Sequence, residues 1–325
     1  RPRAAAACAG LAASLRPELL PWAAVLGVGL YLADRRSPRA WLSPILAAAP
    51  FLLTACIRVA AFGRPAPLSI YAKAPDLAHG AAYALACALL AGPPALLAPL
   101  ALRRLSPLAR VLPASVLVHL LAIALAGGDW MPLSRLMVPV LPSLALAALL
   151  VAQESRLPVT AARVGLALAG QLYVLLAIGP VAARVGEDRF RVLDELRHPL
   201  STARVVASLD IGWVGAATPA TIVDLAGVTD PAIAALPGGH TTKRIPANLL
   251  DAREVDTLVL LLAPGQPLAD PWTSSRFARG VESWIATTPG IAQEFAPVAE
   301  TSLPDLRYVV LRRITPGSSA PFEVP

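Results

Sequence analysis

Charged residues are scarce in this sequence of 325 residues. They make up 15% of it, while apolar residues make up 56% and the mean hydropathy is +0.62. Soluble domains carry about a quarter charged residues, so this composition excludes an ordinary soluble protein and indicates that much of the chain is solvated by lipid. Acidic residues are rarest early in the chain: residues 1–183 hold 15 Lys and Arg against 5 Asp and Glu, and residues 184–325 hold 13 against 16.

Cysteine is also rare. Cys8, Cys56 and Cys87 all lie in apolar segments. Their spacing fits neither a set of metal ligands nor a disulfide framework, which favours small apolar packing residues. The sequence has no signal-peptide pattern with a cleavage site, and it begins at Arg1 rather than at a methionine. We therefore expect further sequence upstream of Arg1.

Long apolar runs predict membrane-spanning helices, because a helix needs about 20 apolar residues to cross a bilayer. Besides the short run Ala4–Leu15, the candidate spans are 18–33, 40–62, 80–101, 110–127, 135–152 and 163–183. The fold predicted for residues 1–185 is therefore mostly α: a polytopic bundle of about six to seven transmembrane helices.

The basic residues between these runs predict the orientation of the bundle, since basic loop residues are enriched on the cytoplasmic side of membranes. With Ala4–Leu15 counted as a crossing, one set of connections carries ten arginines and the other carries four basic residues. The loops at 16–18, 63–79 and 128–134 are then extracytoplasmic, at a plasma or inner membrane. Arginines clustered between apolar runs are a topology signal, so we expect no nucleic-acid partner.

The pattern changes at about Gly186. Short runs rich in Val, Ile and Leu predict strands, and two intervening segments predict helices. The predicted strands are Arg204–Leu209, Thr221–Leu225, Thr257–Ala263 and Arg307–Arg312, and the predicted helices are Glu187–Arg197 and Ser274–Ile285. Strands that alternate with helices are typical of an α/β domain. We predict a small extracytoplasmic α/β domain at residues 186–315 and a disordered tail at 316–325.

Polar groups at membrane depth are costly, so those on the predicted outer face mark a candidate substrate-binding site. They are Arg16 with Glu18, Arg58 with Tyr71 and Lys73, and Asp129 with Trp130 and Arg135. Basic side chains suit an anionic phosphate, and aromatic rings suit the face of a sugar. A carboxylate can act as a base, orient a hydroxyl or hold a divalent ion, so a metal is possible and no other cofactor is implied.

The same residues also have interpretations that involve no chemistry. Tyr71 and Trp130 are equally typical of aromatic anchors at a membrane surface. Asp129 can pair with Arg135, six residues later. His119 lies ten residues before Asp129, well below it along a continuous helix, so we predict a buried, hydrogen-bonded histidine there.

Several motifs resemble those of the polytopic GT-C glycosyltransferases, which take sugars from polyprenyl-phosphate carriers. Leu11–Glu18 (LAASLRPE) is similar to an Arg-Pro-Glu turn common in these proteins. Arg58–Lys73 resembles their R-x-x-x-F-G-x-x-x-P-N-T-x-Y-A-K segment, with Leu68-Ser69 in place of Asn-Thr. Gly127–Pro142 (GGDWMPLSRLMVPVLP) resembles G-G-D-x-M-x-x-x-R-x-x-x-P-x-x-P. Val223–His240 is similar to a later D-L-x-G-L-T-D-x-x-I-A…G-H run, and the ordered set resembles the branch that includes mycobacterial-type terminal arabinofuranosyltransferases.

This resemblance implies that a sugar moves from a polyprenyl-phosphate donor to a cell-envelope glycan acceptor at the outer membrane face. It also implies a catalytic aspartate in the first outer loop. No residue of this chain matches that aspartate, so we expect the base upstream of Arg1. Arg58, Lys73 and Arg135 are the candidates for the donor phosphate, and Asp129 is a site residue of undefined role.

Two other function classes stay open. A non-catalytic membrane protein of cell-envelope assembly could use the same fold to bind lipid or glycan. A transporter or lipid flippase is disfavoured, because a transport path places polar groups near the middle of the membrane and here they cluster at one face.

Overall fold

The computed structural model describes residues 2–73, 76–90, 104–129, 135–177, 179–264, 277–301, 303 and 306–314. These residues are mostly helical and include a small sheet. The chain divides into two compact units. The helical unit contains Arg1–Ala66 and Pro75–Pro180, and the α/β unit contains Pro67–Ala74 and Val181–Pro325. The predicted disordered tail at 316–325 lies outside the described residues.

The helical unit consists of apolar helices rich in Ala and Leu. The helices up to residue 177 are α1 (Pro2–Leu15), α2 (Leu20–Ala33), α3 (Leu42–Phe62), α4 (Leu68–Tyr71, part of the α/β unit), α5 (Leu77–Leu90), α6 (Pro107–Leu125), α7 (Leu141–Gln153) and α8 (Leu157–Ala177). The side chain of Ser106 caps α6 by accepting a hydrogen bond from the backbone of Ala109 at 3.2 Å. Gly63, with φ +69°, ends α3.

The helix boundaries test the predicted spans. The spans predicted at 18–33, 40–62 and 110–127 coincide with α2, α3 and α6 to within three residues. The span predicted at 163–183 begins inside α8, which starts six residues earlier, at Leu157. Arg163, the first residue of the predicted span, is buried, and its Nη1 donates to the hydroxyl of Ser155 at 2.8 Å, so the guanidinium has a polar partner although it lies inside an apolar helix. The second half of the span predicted at 80–101 lies outside the described residues.

Two helices, α3 and α8, are long and apolar enough to cross a membrane, with mean hydropathies of 2.0 and 1.6. Both carry apolar side chains on their outer surface: Leu53 on α3 is 63% exposed and Leu168 on α8 is 66% exposed. Continuous apolar surface of this kind needs lipid or another apolar partner around it, which supports membrane association. The apolar segments Pro17–Ala33, Leu77–Leu89, Ala109–Leu125 and Val138–Gln153 have 10–17 residues each. The number of crossings therefore stays a prediction.

Small residues bring the helices of this unit close together. A Cβ atom added at Gly10 of α1 would lie 2.3 Å from the carbonyl oxygen of Leu46 in α3. One added at Gly27 of α2 would lie 2.6 Å from the side chain of Ala47, also in α3. Glycine and alanine at helix contacts are typical of helix packing in membranes, where close backbone approach replaces the hydrophobic effect as the source of stability.

The α/β unit is organised around a five-stranded sheet in the order β2-β1-β3-β5-β4. The strands are β1 (Val205–Ser208), β2 (Thr221–Asp224), β3 (Thr257–Leu261), β4 (Phe295–Glu300) and β5 (Tyr308–Arg313). β1 is parallel to β2 and β3, whereas β5 is antiparallel to β3 and β4. The four predicted strands are confirmed. β4 was not predicted, because its proline, alanines and glutamate lack the usual strand pattern; as an edge strand it tolerates Pro297.

Helices cover both faces of this sheet. They are α9 (Gly179–Leu200), α10 (Ile211–Ala217), α11 (Pro231–Ala234), α12 (Ala247–Ala252), α13 (Gly280–Thr287) and α14 (Ile291–Glu294). Val192 and Leu196 of α9 pack with Val259 on one face of the sheet, while Leu258 and Leu260 belong to the core on the other face. This alternation along β3 is that of a strand buried on both sides.

Candidate functional site

Several of the predicted site residues lie together at one end of the helical unit. Near the end of α3, Nη2 of Arg58 donates to the carbonyl of Ser14 at 3.4 Å. At the start of α5, Nε2 of His79 lies 3.0 Å from the carbonyl oxygen of Asp129. The 3-10 turn Pro17–Leu19 contacts α6. We call this region the Asp129 end. It comprises Arg16, Glu18, Arg58, His79, Asp129 and Arg135.

Asp129 and Arg135 form a bidentate ion pair. Nε of Arg135 donates to Oδ2 of Asp129, and its Nη2 donates to Oδ1 at 3.2 Å. The Asp129 side chain is 0% exposed and that of Arg135 is 48% exposed. The pairing considered from the sequence is therefore confirmed. Asp129 orients the guanidinium, whose remaining donors can bind a planar or tetrahedral anion.

Two glycines that precede Asp129 determine its position. Gly127 and Gly128 have φ values of +80° and +68°, which reverse the chain after α6. A Cβ atom at Gly128 would lie 2.8 Å from Cβ of Tyr83, and one at Gly80 would lie 2.1 Å from the carbonyl oxygen of Ala124. The start of α5 thus packs directly against the end of α6, which requires glycine on both sides.

His119 of α6 is fully buried, and its Nε2 lies 2.9 Å from the carbonyl oxygen of Leu136. The predicted buried, hydrogen-bonded histidine is confirmed. Because Leu136 directly follows Arg135, this contact fixes the backbone beside the ion pair.

The remaining predicted residues of the Asp129 end are also located. Arg16 and Glu18 pair with each other at 2.6 Å. Nη1 of Arg58 is buried and has no hydrogen-bond partner within the described ranges. Trp130 lies outside the described residues, as do residues 131–134.

Tyr71 and Lys73 belong to the α/β unit. The segment that carries them, Pro67–Ala74, is part of that unit although it connects two helices of the other unit. Within the α/β unit, α4 packs against α11. The structure therefore divides the predicted site residues between two units, with Arg58 in one and Lys73 in the other.

The residues that follow β2, which belong to the Val223–His240 motif, form a loop. The carboxylate of Asp224 accepts hydrogen bonds from the backbone of Ala226 at 2.8 Å and of Thr229 at 2.9 Å. Asp230 caps α11 by accepting from Ala232 at 2.8 Å, and it also pairs with Arg253 at 2.8 Å. The bond to Arg253 lowers the pKa of Asp230, opposed by its partial burial. In this motif both aspartates have structural partners.

His240 and Lys243 follow this loop and are both buried. Nζ of Lys243 donates to the carbonyls of Ala234 and Leu236, each at 2.9 Å. Burial lowers the pKa of Lys243 and also that of His240. Sequence reasoning did not select Lys243. The signal that points to it is composition: Lys73 and Lys243 are the two lysines of a chain with 28 Lys and Arg residues.

A second polar cluster, also missed from the sequence, lies where β1 and β3 end. The connections from β1 to β2 and from β2 to β3 lead to opposite sides of β1, and such a switch point is a common ligand position in α/β folds. Asp210 accepts from Arg279 at 2.9 Å and from the hydroxyl of Tyr308 at 2.6 Å, and Arg279 also pairs with the fully buried Glu282 at 2.5 Å. Arg189 of α9 donates to the Tyr308 hydroxyl at 2.6 Å.

The charges in this cluster compensate one another. Burial opposes the charge on Arg279, but the carboxylates of Glu282 and Asp210 outweigh it and raise the pKa of Arg279. Burial and the nearby Asp210 raise the pKa of Tyr308, which keeps its hydroxyl a donor. The cluster joins α9, α13 and β5, and its arrangement is that of a buried structural network.

In the part of the chain that the structure describes, no group of three or more His, Cys, Asp and Glu side chains could hold a metal ion.

A family model described as a domain of unknown function (DUF8728) matches residues 182–310, which lie within the α/β unit. No curated protein and no solved structure matches the chain.

Proposed function

We propose that this protein is a membrane glycosyltransferase that moves a sugar from a polyprenyl-phosphate donor to a cell-envelope glycan acceptor. The observation that carries the proposal is a series of contacts at the Asp129 end. Arg58 donates to Ser14 near the Arg16–Glu18 pair, the turn Pro17–Leu19 contacts α6, and the Asp129–Arg135 pair follows α6. Three motifs that are far apart in the sequence meet there. They are the motifs whose resemblance to GT-C glycosyltransferases implies binding of a lipid-linked sugar.

The membrane arrangement is part of the same proposal. Besides α3 and α8, the shorter apolar helices cross the membrane, giving a multi-pass protein in the plasma or inner membrane. The Asp129 end then lies on the extracytoplasmic side. Since α8 runs toward that side, the chain that follows it, including the α/β unit, is extracytoplasmic as well. The exposed Arg35, Arg36 and Arg39 between α2 and α3 face the cytoplasm, as basic loops usually do.

The proposed reaction is a displacement at the anomeric carbon of the donor sugar. The acceptor hydroxyl oxygen forms a bond to that carbon, and the bond from carbon to the phosphate oxygen breaks. The polyprenyl phosphate leaves with the electron pair, and the hydroxyl proton passes to a carboxylate base. The resemblance assigns this base to an upstream loop, so we assign it to no residue of this chain. Arg135 and Arg58 stabilise the departing phosphate by charge-assisted hydrogen bonds.

One observation favours a second candidate, a non-catalytic protein that binds lipid or glycan in cell-envelope assembly. The Asp129 carboxylate is fully buried and tied to Arg135. A carboxylate so engaged suits positioning rather than proton transfer. A binding protein needs the oriented guanidinium but no base.

Transfer of radiolabelled arabinofuranose from decaprenyl phosphate to a short arabinofuranoside tests the proposal, with the full-length protein in membranes. We expect Arg135→Ala and Asp129→Asn each to lower transfer by about tenfold or more, because each removes a charge-assisted contact. Arg104→Ala is the matched control, since Arg104 is exposed and contacts the carbonyl of Glu154, after α7.

Wild-type transfer rates in both Asp129 end variants would remove the proposed site. No transfer by the wild type, together with retained binding of decaprenyl phosphate that Arg135→Ala weakens, would favour the non-catalytic candidate.

A further inference from the structure

Both lysines of the chain belong to the α/β unit. Lys73 lies in the segment Pro67–Ala74, and Lys243 lies 170 residues later in the sequence. Both are within electrostatic reach of His240. Everywhere else in the chain the basic residues are arginine or histidine. Lysine offers a compact charge with three donors and is a common ligand of phosphate groups.

His240 is buried and incompletely satisfied. It is 9% exposed, and its Nδ1 has no hydrogen-bond partner among the residues that the structure describes. A buried polar nitrogen without a partner costs free energy, so such an atom is expected to meet a water or a ligand. Burial lowers the pKa of His240, and Lys73 and Lys243 act in the same direction, whereas the carbonyl of Ala226 and the carboxylate of Asp224 oppose them.

Among the described groups whose charges act on His240, Lys73 and Lys243 are cationic and Asp224 is anionic. This carboxylate is already engaged by the backbone of Ala226 and of Thr229. Lys243 is 1% exposed, and Nζ donates to two neutral carbonyls, which leaves one of its three N–H donors for another partner. A bound anion could accept from the buried Nδ1 of His240 and from this third donor of Lys243.

We propose that Lys73, His240 and Lys243 form a binding site for a phosphate group. The inference rests on the proposed function in one respect: it identifies the ligand class as a polyprenyl phosphate. His240 is then a binding residue within the α/β unit, and α4, which carries the neighbouring Lys73, packs on α11 of the same unit. Protonated His240 and Lys73 donate to the phosphate oxygens, and the bound anion favours the protonated imidazole.

Binding is measured by calorimetry with the full-length protein in detergent, using farnesyl phosphate and inorganic phosphate as probes. We expect His240→Gln and Lys73→Gln each to weaken farnesyl phosphate binding by about tenfold, the effect of losing one charge-assisted hydrogen bond. His198→Gln is the matched control, because His198 is an exposed histidine of α9 in the same unit. Circular dichroism checks that the variants fold. Lys73→Gln is an independent test, because Lys73 is less buried than His240.

The two probes distinguish the sources of the phosphate. Tighter binding of farnesyl phosphate identifies a lipid phosphate, and equal affinities identify free phosphate. Unchanged affinity of both probes in both variants would overturn the proposal and leave His240 as a structural residue that holds the loop after β2.

The dependence on pH gives a second readout. Sulfate keeps its double charge between pH 5 and 8, so a change in its affinity over this range reports on the protein. Because His240 has a lowered pKa when the site is empty, sulfate should bind more tightly at pH 5.5 than at pH 7.5. His240→Gln should remove this dependence and His198→Gln should keep it. A dependence that persists in His240→Gln would contradict the role of the imidazole.

The outcome is separable from that of the proposed function. Phosphate binding that depends on His240 without any sugar transfer would support this site and remove the glycosyltransferase. Sugar transfer by the wild type, with the affinity for farnesyl phosphate unchanged in His240→Gln, would support the glycosyltransferase and remove this site.

Discussion

The loop after β2 requires glycine at position 227. Its φ is +75°, a conformation that other residues adopt only with strain. A Cβ atom there would lie 2.5 Å from the backbone nitrogen of Ala234 and 2.7 Å from its Cα atom. Backbone atoms cannot move aside as a flexible side chain can. The loop therefore sits against α11 only because residue 227 is glycine.

We expect Gly227→Ala to destabilise the α/β unit by about 1–3 kcal/mol, through left-handed strain and the contact with Ala234. Hydrogen exchange of the β2 and α11 amides in the full-length protein measures the loss. Gly212→Ala is the control: Gly212 lies in α10 with open space around it, so alanine should be neutral or stabilise by about 0.5–1 kcal/mol. Equal protection in the two variants would show that the contact with α11 is absent.

Single residues also show how far sequence reasoning reaches. The pairing of Asp129 with Arg135 and the buried state of His119 could be anticipated, because both depend on spacing along one short segment. The position of Arg163 could not, because a charged residue inside an apolar helix needs a specific partner, here Ser155. Lys73 was a predicted site residue, but that it and Lys243 belong to one unit depends on tertiary structure. Only the rarity of lysine marked Lys243 in the sequence.

At the scale of elements, α11 is a single turn that depends on its cap. Asp230 accepts from the backbone of Ala232 and of Ile233, and its other contact is the side chain of Arg253. A helix of four residues has too few internal hydrogen bonds to persist alone, so the cap and packing must supply its stability. Because α11 contacts α4, this cap also holds the segment that carries Lys73.

We expect Asp230→Ala to cost about 1 kcal/mol, as the loss of a helix cap usually does. The effect should depend on pH. Since the bond to Arg253 lowers the pKa of Asp230 from its usual 3.8, its stabilising contribution is present above that value and is lost as the pH falls through the lowered pKa. Hydrogen exchange of the α11 amides between pH 3 and 6 checks this.

Asp194→Ala, which removes an exposed aspartate of α9, is the control for Asp230→Ala and should leave α11 unchanged. Protection of α11 that is identical in wild type and Asp230→Ala at pH 6 would contradict the proposed cap.

The elements were predictable where a pattern is local. Runs of Val, Ile and Leu identified β1, β2, β3 and β5, since a strand buried on both sides needs a continuous apolar run. β4 escaped prediction because it is an edge strand whose pairing with β5 forms across the sheet and not along the sequence. The packing of α4 against α11 could not be predicted for the same reason. It joins segments about 160 residues apart in the sequence, and no local pattern records such a contact.

At the scale of the whole molecule, the decisive quantity is the number of membrane crossings. Two helices meet the length and hydropathy of a span, and α2, α5, α6 and α7 are shorter. Each helix that crosses reverses the side on which the next connection lies, so an odd or even count decides where the α/β unit is. If all the apolar helices cross, the segment with Lys73 and the chain after α8 lie on the same side, as the two parts of one compact unit require.

Labelling with a membrane-impermeant maleimide tests this arrangement in intact cells. In a protein whose Cys8, Cys56 and Cys87 are replaced by alanine, we expect single cysteines at Ser69 and Ser201 to react from outside. A cysteine at Ser37, between α2 and α3, should react only after permeabilisation, because one helix, α3, separates it from Ser69. Reaction of Ser37 and Ser69 variants from the same side would mean that α3 does not cross. The alternation of sides from which we infer an extracytoplasmic Asp129 end would then fail, and the proposed outer-face transfer would lose that support.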